Sequence, residues 1–167
     1  MLAPASQYQT QLSKLWAEKA TDPDYLYWHV DIHYNPLADI RNTNYRKDEW
    51  VSVVDGEVVG YFCVLVDKNT RSANDMSIAS FKKSKQYGYD FVTFIKTLER
   101  KYRYVRWAAV DGHPHEKHYL SILKRYNGRV VGVFKNKIKL LNGRLYDEKW
   151  YEINNENHAS RLKETKR

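Results

Sequence analysis

Residues 49–67, EWVSVVDGEVVGYFCVLVD, constrain this chain more than any other stretch. Two β-type runs flank Asp55-Gly56. Asp-Gly between such runs is the strongest short-range hairpin signal, because the favoured two-residue turn needs positive φ at both positions. The apolar run 58–66 inside it is the longest in the chain. It is far shorter than the ~20 residues a membrane-spanning helix requires. The only cysteine, Cys63, lies within that run and has no second cysteine to bridge. It is expected in the core rather than as a nucleophile.

The rest of the chain extends the hairpin into a mixed fold. Residues 6–20 predict a first helix, with Leu12, Leu15, Trp16 and Lys19 roughly on one face and TDPD stopping it. The segment YLYWHVDIHYNP (25–36) is rich in aromatic residues and histidine, and has no clear period. After the hairpin, NDMSIASFKK reads as a strand. YDFVTFIKTLERKY reads as an amphipathic helix through Phe91, Phe94, Ile95 and Leu98, and YVRWAAV as a buried strand. PHEKHYLSILKRY predicts a second helix, with Pro114 in its first turn and Asn127-Gly128 at its end. RVVGVF and a strand, Asn-Gly turn and strand over 138–153 close the set. The expected class is α+β: a mostly antiparallel twisted sheet of six or seven strands flanked by helices.

A chain of 167 residues is the size of one domain. Its 14 tyrosines and 5 tryptophans exclude a disordered polymer. No basic n-region followed by an apolar stretch opens the sequence, so a cytoplasmic protein with no membrane segment is expected. The formal charge of +8 favours polyanionic partners, nucleic acid or an acidic protein. Residues 124–144 hold seven basic residues and no acidic one.

The chemistry-bearing stretch is FKKSKQYGYDFVTFIK, residues 81–96. Lys82, Lys83 and Lys85 crowd a turn before Gly88, and a helix follows. The first amides of a helix have no partner within it, and they point at a ligand together with the positive end of the dipole. Glycine lets an anion approach the backbone. Asp90 opposes this: pointing outward it repels a phosphate, and pointing away it leaves the turn available.

Three strands, a basic glycine turn, a helix and a second β-α-β unit resemble the GNAT superfamily of acyl-CoA N-acyltransferases, over roughly 49–153. The family's pyrophosphate motif, Gln/Arg-x-x-Gly-x-Gly/Ala, is matched here by Lys85-Gln86-Tyr87-Gly88-Tyr89-Asp90, with lysine at the first position and aspartate at the last. The resemblance implies one domain: an N-terminal acceptor-side helical region over 1–48, a core over 49–153 and a basic tail over 154–167. It implies acetyl-CoA or another acyl-CoA as cofactor. Lys82, Lys83, Lys85, Gln86, Tyr87, Gly88 and Tyr89 would then lie at the phosphates, and Ala79, Ser80 and Phe81 along the pantetheine. An amine acceptor would meet Trp28, His29, His33 and Tyr34.

Family members often carry a tyrosine four residues before the glycine that ends the last helix, as an acid near the leaving sulfur. Leu123 or Lys124 stands there, so Tyr119, one turn earlier, is the expected substitute. His113 and Asp111, just after a core strand, are candidate bases, with Asp75 an equal alternative to Asp111. His113, His115 and His118 lack the spacing and the further ligands of a metal site, so no metal is expected. The departures from the motif keep other readings open. One is a non-catalytic GNAT-like binding protein of a phage or mobile element. Another is a Mom-like relative acting on a nucleic-acid base, which aromatic side chains could hold. KYRYVRW (101–107) alternates basic and aromatic residues as nucleic-acid surfaces do, but also reads as a helix end entering a buried strand.

Overall fold

The computed structural model describes residues 1–28 and 44–155. His29, His33, Tyr34 and residues 156–167 of the basic tail lie outside this range. The secondary structure runs β1 (Leu2–Pro4), α1 (Gln9–Lys19), α2 (Pro23–Trp28), β2 (Tyr45–Val54), β3 (Glu57–Asp67), β4 (Ser72–Ser80), α3 (Lys85–Lys101), β5 (Tyr104–Val110), α4 (Glu116–Arg125), β6 (Arg129–Lys139) and β7 (Leu145–Asn154). The strands form one sheet in the order β1-β2-β3-β4-β5-β7-β6. Every neighbouring pair is antiparallel except β4 with β5. The expected α+β class with a mostly antiparallel sheet is the class observed.

Local chemistry sets the turns. Asp55 (φ 50°) and Gly56 (φ 81°) both take the left-handed conformation that a tight β2–β3 hairpin needs. Ser84 caps α3, its hydroxyl accepting the Gln86 amide at 3.1 Å, so the helix starts at Lys85, earlier than apolar spacing alone predicts. The first helix is shorter than expected, because a 3-10 turn occupies Ala5–Tyr8. Strand β1 and helix α2 have no counterpart in the sequence reading. The N-terminal region is therefore not purely helical, and β2 begins within it.

Successive side chains of a strand point to opposite faces, and β3 divides accordingly. Phe62, Val64 and Val66 join Phe94, Ile95, Leu98, Trp107, Leu123, Tyr151 and Ile153 in a core under α3 and α4. Tyr61 and Cys63 face the other way, into a second core with Val51, Val58 and Leu12 of α1. Each side chain as large as Phe94 or Leu98, both 0% exposed, contributes about 1.5–3 kcal/mol by leaving water. Cys63 is buried as expected, and burial pushes its thiol up to about 11, away from nucleophilic character at neutral pH.

Two irregularities position the site. Between β3 and β4, Cys63 pairs with Ser77 but Leu65 pairs with Asn74, so Asp75 and Met76 bulge opposite Val64. Asp75 sits there at φ 48°. Immediately beyond, β4 leaves β5: they pair only as Ser72↔Tyr104 and Ala73↔Val105. From Asn74 to Ser80 the β5-facing edge of β4 has no partner strand among the described residues.

Candidate active site

The parting of β4 from β5 opens toward the N-terminus of α3. The amides of Lys85 and Tyr87 have no acceptor among the described residues, and that of Gln86 is held only by the Ser84 hydroxyl. Lys83 and Lys85 are exposed and form no ion pair among the described residues. Lys82 is exposed too, but its ammonium pairs with Glu57. A cavity of about 420 Å³ lies beside the turn, lined by Val54, Asp55, Glu57, Val59, Lys82, Lys83 and Ser84. A smaller one of about 180 Å³ lies between Phe81 and α1. Gly88 is exposed with an unremarkable φ, and a Cβ built on it would meet nothing within 4 Å. The space above the helix start is therefore open.

Asp90 turns inward. It is 5% exposed. Its Oδ2 accepts the Ser52 hydroxyl at 2.7 Å and its Oδ1 accepts the Gln86 side-chain amide at 2.8 Å, with the Met1 ammonium at 3.1 Å. The carboxylate is thus satisfied beneath the helix rather than in front of it. The same bond commits the Gln86 side chain to the protein. Tyr87 also packs away from the turn. Its ring stacks on Phe62 at 5.1 Å and lies over Gly60, where a Cβ would come within 2.1 Å of the ring. Burial raises its phenol well above the usual range. Tyr89 is 68% exposed. Of the residues expected at the turn, Lys83, Lys85, Gly88 and the backbone of 85–87 face open space, while the side chains of Gln86 and Tyr87 support it from behind. Ala79 and Ser80 lie on the unpaired stretch of β4, with the Phe81 and Lys82 amides turned back to the Val59 carbonyl.

Across the parting, Tyr119 stands on α4. Its ring is 7% exposed and lies against Trp107, Tyr151 and His113, with centroids 6.1, 5.6 and 6.0 Å away. Burial first, and the Tyr151 phenol second, push its pKa up to about 12. Its hydroxyl makes no hydrogen bond among the described residues, and it is not among the buried orphans, Trp16 Nε1, Trp107 Nε1, Tyr126 OH and Tyr151 OH. It therefore keeps its proton through the physiological range and has that proton free to donate. His113 sits between Tyr119 and Trp28, whose ring meets it edge-on at 5.2 Å. Its Nδ1 accepts the His115 amide at 3.1 Å. Three residues singled out in the sequence, Trp28, His113 and Tyr119, are thus brought together from α2, the β5–α4 loop and α4.

Asp111 is held elsewhere. Its carboxylate lies 2.6 Å from the Lys149 ammonium, which Glu116 also binds at 2.6 Å. Asp75 has no such cation among the described residues. Desolvation, and then the Glu148 charge on β7, raise its carboxyl above the ordinary Asp value. Glu148 and Tyr151 carry no local signal because they arrive from a strand paired to β5 across about forty residues of chain. No group of three His, Cys, Asp or Glu side chains among the described residues is placed to hold a metal ion. Nor is any described helix long and apolar enough to cross a membrane.

No family model and no curated protein matches the chain. Solved structures do. An N-acetyltransferase from Staphylococcus aureus Mu50 superposes with a TM-score of 0.61 at 11% identity, over 92% of this chain and 97% of that one. A spermidine/spermine N-acetyltransferase from Vibrio cholerae gives 0.54 at 15% identity, over 72% and 71%. A ribosomal-protein-S18-alanine N-acetyltransferase from Escherichia coli gives 0.51 at 12% identity, over 68% and 71%. At such identities the likeness is one of fold.

Proposed function

Because the chain has the fold of the GNAT N-acetyltransferases, we propose that it binds an acyl-CoA, acetyl-CoA first among them, and transfers the acyl group to an amine. The observation that carries this reading is the parting of β4 from β5 beside a helix N-terminus where the amides of Lys85 and Tyr87 have no acceptor among the described residues and Asp90 of the same helix is turned inward. The residues fit such a cofactor. An extended, amide-bearing arm can complete the unpaired edge of β4 near Ala79 and Ser80. The amides of Lys85 and Tyr87, with Lys83 and Lys85, can hold a pyrophosphate over Gly88.

The acyl-CoA supplies an activated acyl group as its thioester. Tyr119 holds a proton at its phenol oxygen and is the donor to the departing sulfur. The incoming ammonium must first lose a proton. Asp75, carrying a raised carboxyl at the bulge where the strands part, is the acceptor better placed for this than Asp111, which Lys149 already engages. His113, against Trp28, orients the acceptor. Trp28 forms the described part of the acceptor wall, and His29, His33 and Tyr34 follow it in the chain. The neighbours named above act on a polyamine and on a protein alanine, so the fold selects no acceptor.

A non-catalytic binding protein is the second reading. It draws on the Lys82–Glu57 and Gln86–Asp90 contacts, which occupy two polar side chains of the turn. Calorimetry with acetyl-CoA separates the two readings. Micromolar binding that Gly88→Glu abolishes supports the acyltransferase, and release of free thiol with a panel of amines then identifies the acceptor. No binding by the wild type refutes it.

A further inference from the structure

Seven of the eight described arginines lie at one end of the sheet, the end away from the parting of β4 and β5. Arg46 opens β2, and Arg71 sits in the β3–β4 turn, where its carbonyl accepts the Arg103 amide at 3.0 Å. Arg100 and Arg125 close α3 and α4. Both charges act on Tyr126, so the two helix ends are neighbours. Arg103 and Arg106 bracket Tyr104, their guanidinium carbons 5.0 and 4.8 Å from its ring centre. Arg129 opens β6. Only Arg144, at the β6–β7 hairpin tip, lies at the other end.

The described acids at this end, Asp48, Asp67, Glu99 and Glu152, are fewer than its seven arginines, and Glu99 acts on Tyr126 together with Arg100 and Arg125. Asp48 takes Arg46 and Lys101. Asp67 accepts the amides of Asn69 and Thr70 in its own turn. Glu152, 4% exposed, lies beneath the surface and grips Arg106 at 2.7 Å and Arg129 at 3.3 Å from below. Those two side chains stay 38% and 71% exposed, so the ion pairs aim guanidiniums outward rather than consume them. Arg71, Arg100 and Arg125 are exposed and meet no carboxylate among the described residues.

We infer that this end of the molecule binds the sugar-phosphate backbone of a nucleic acid. Arginine rather than lysine is concentrated here, and its planar fork matches phosphate oxygens two at a time. Several of these guanidiniums are already fixed, by Tyr104 or by Glu152, which lowers the entropy lost on binding. The arginines are spread over β2, the β3–β4 turn, α3, β5, α4 and β6. An extended acidic peptide follows one strand edge, whereas a chain of repeated phosphates can neutralise a rim of this breadth. The inference goes beyond acyl transfer and rests on different residues.

The test is fluorescence anisotropy with labelled RNA, single-stranded DNA and duplex DNA of about 20 units, from about 50 to about 200 mM salt. The wild type is expected to bind at least one of them, with affinity falling steeply with salt. The pair Arg100→Ala with Arg125→Ala is expected to weaken binding at least ~10-fold and to lower the log–log salt slope by about two. Arg71→Glu, in an exposed turn, provides a second variant remote from the helix ends, expected to weaken binding as well. Lys137→Ala with Lys139→Ala, at the other end, is expected to change neither affinity nor slope by a comparable amount. Acetyl-CoA binding is expected to be the same in all of them. Which labelled strand binds tightest identifies the nucleic acid. Three results overturn the inference: no binding at low salt, arginine variants that bind as the wild type does, or displacement by polyglutamate as readily as by unlabelled nucleic acid.

Discussion

Replacing Gly88 by alanine pulls stability and ligand binding in opposite directions. Gly88 is the fourth residue of α3, exposed, and its φ is outside the left-handed region. A Cβ there meets no heavy atom within 4 Å. Alanine therefore adds no clash and removes the entropic penalty of an exposed helical glycine, about 0.5–1 kcal/mol. In a chain of this size that is worth roughly 1–4 °C in Tm. The same methyl stands in the open space over the helix amides. Pushing an anion off even one charge-assisted hydrogen bond costs about 1.5–3 kcal/mol, roughly a 10–100-fold loss of affinity. Scanning calorimetry of the free protein and titration with acetyl-CoA measure the two effects separately. A higher Tm with unchanged binding would show that no phosphate approaches Gly88. A lower Tm would show that the backbone itself needs glycine, against the open geometry seen here.

Tyr119→Phe keeps the ring packing against Trp107 and Tyr151 while removing the proton. Turnover is expected to fall about 10²–10⁴-fold with little change in Tm, as read by thiol release and scanning calorimetry. Asp90→Ala leaves the Ser52 hydroxyl and the Gln86 amide without their buried acceptor. A loss of about 2–4 kcal/mol in a urea titration is expected. Gly60→Ala drives a methyl into the Tyr87 ring, so it is expected to cost about 1–3 kcal/mol and to weaken acetyl-CoA binding by tilting the first turn of α3. Asp75 supplies a pH test. A carboxyl raised by folding makes the folded state hold its proton more tightly, so the wild type loses stability as pH rises from near 3.8 through the raised value. Asp75→Asn lacks that loss. Its advantage in urea midpoint is expected to be absent below the window and constant above it; an advantage that does not vary with pH refutes the assignment.

Much of this architecture is legible in single residues. Asp55-Gly56 dictates the hairpin because few other pairs accept two positive φ angles in a row. The spacing of Phe94, Ile95 and Leu98 marks the buried face of α3, and those three are the helix's buried apolar residues. Strand β1 is illegible because three residues ending in proline carry no period; only its pairing with β2 makes it a strand. Asp90 shows a different limit. Its sequence position allows an outward or an inward carboxylate, and the choice belongs to Ser52, a residue of β2 that looks like any solvent-facing serine until the helix packs on it. The meeting of Trp28 with His113 is likewise invisible along the chain, since more than eighty residues separate them.

The two rungs between β4 and β5 make the sheet, in mechanical terms, a pair of leaves. One leaf is β1 to β4, the other β5, β7 and β6; among the described residues their strands pair only at Ser72–Tyr104 and Ala73–Val105, next to the bond from the Arg103 amide to the Arg71 carbonyl. Otherwise the leaves are joined through a shared core of side chains, Phe62 and Ala73 from one leaf and Trp107 and Ile153 from the other, with Phe94 and Leu98 of α3 in the same core. Side chains slide more readily than a hydrogen-bonded ladder shears. An extended ligand seated in the seam would supply the missing rungs and so tie the leaves together. Whatever this protein binds there becomes, while bound, a strand of its fold.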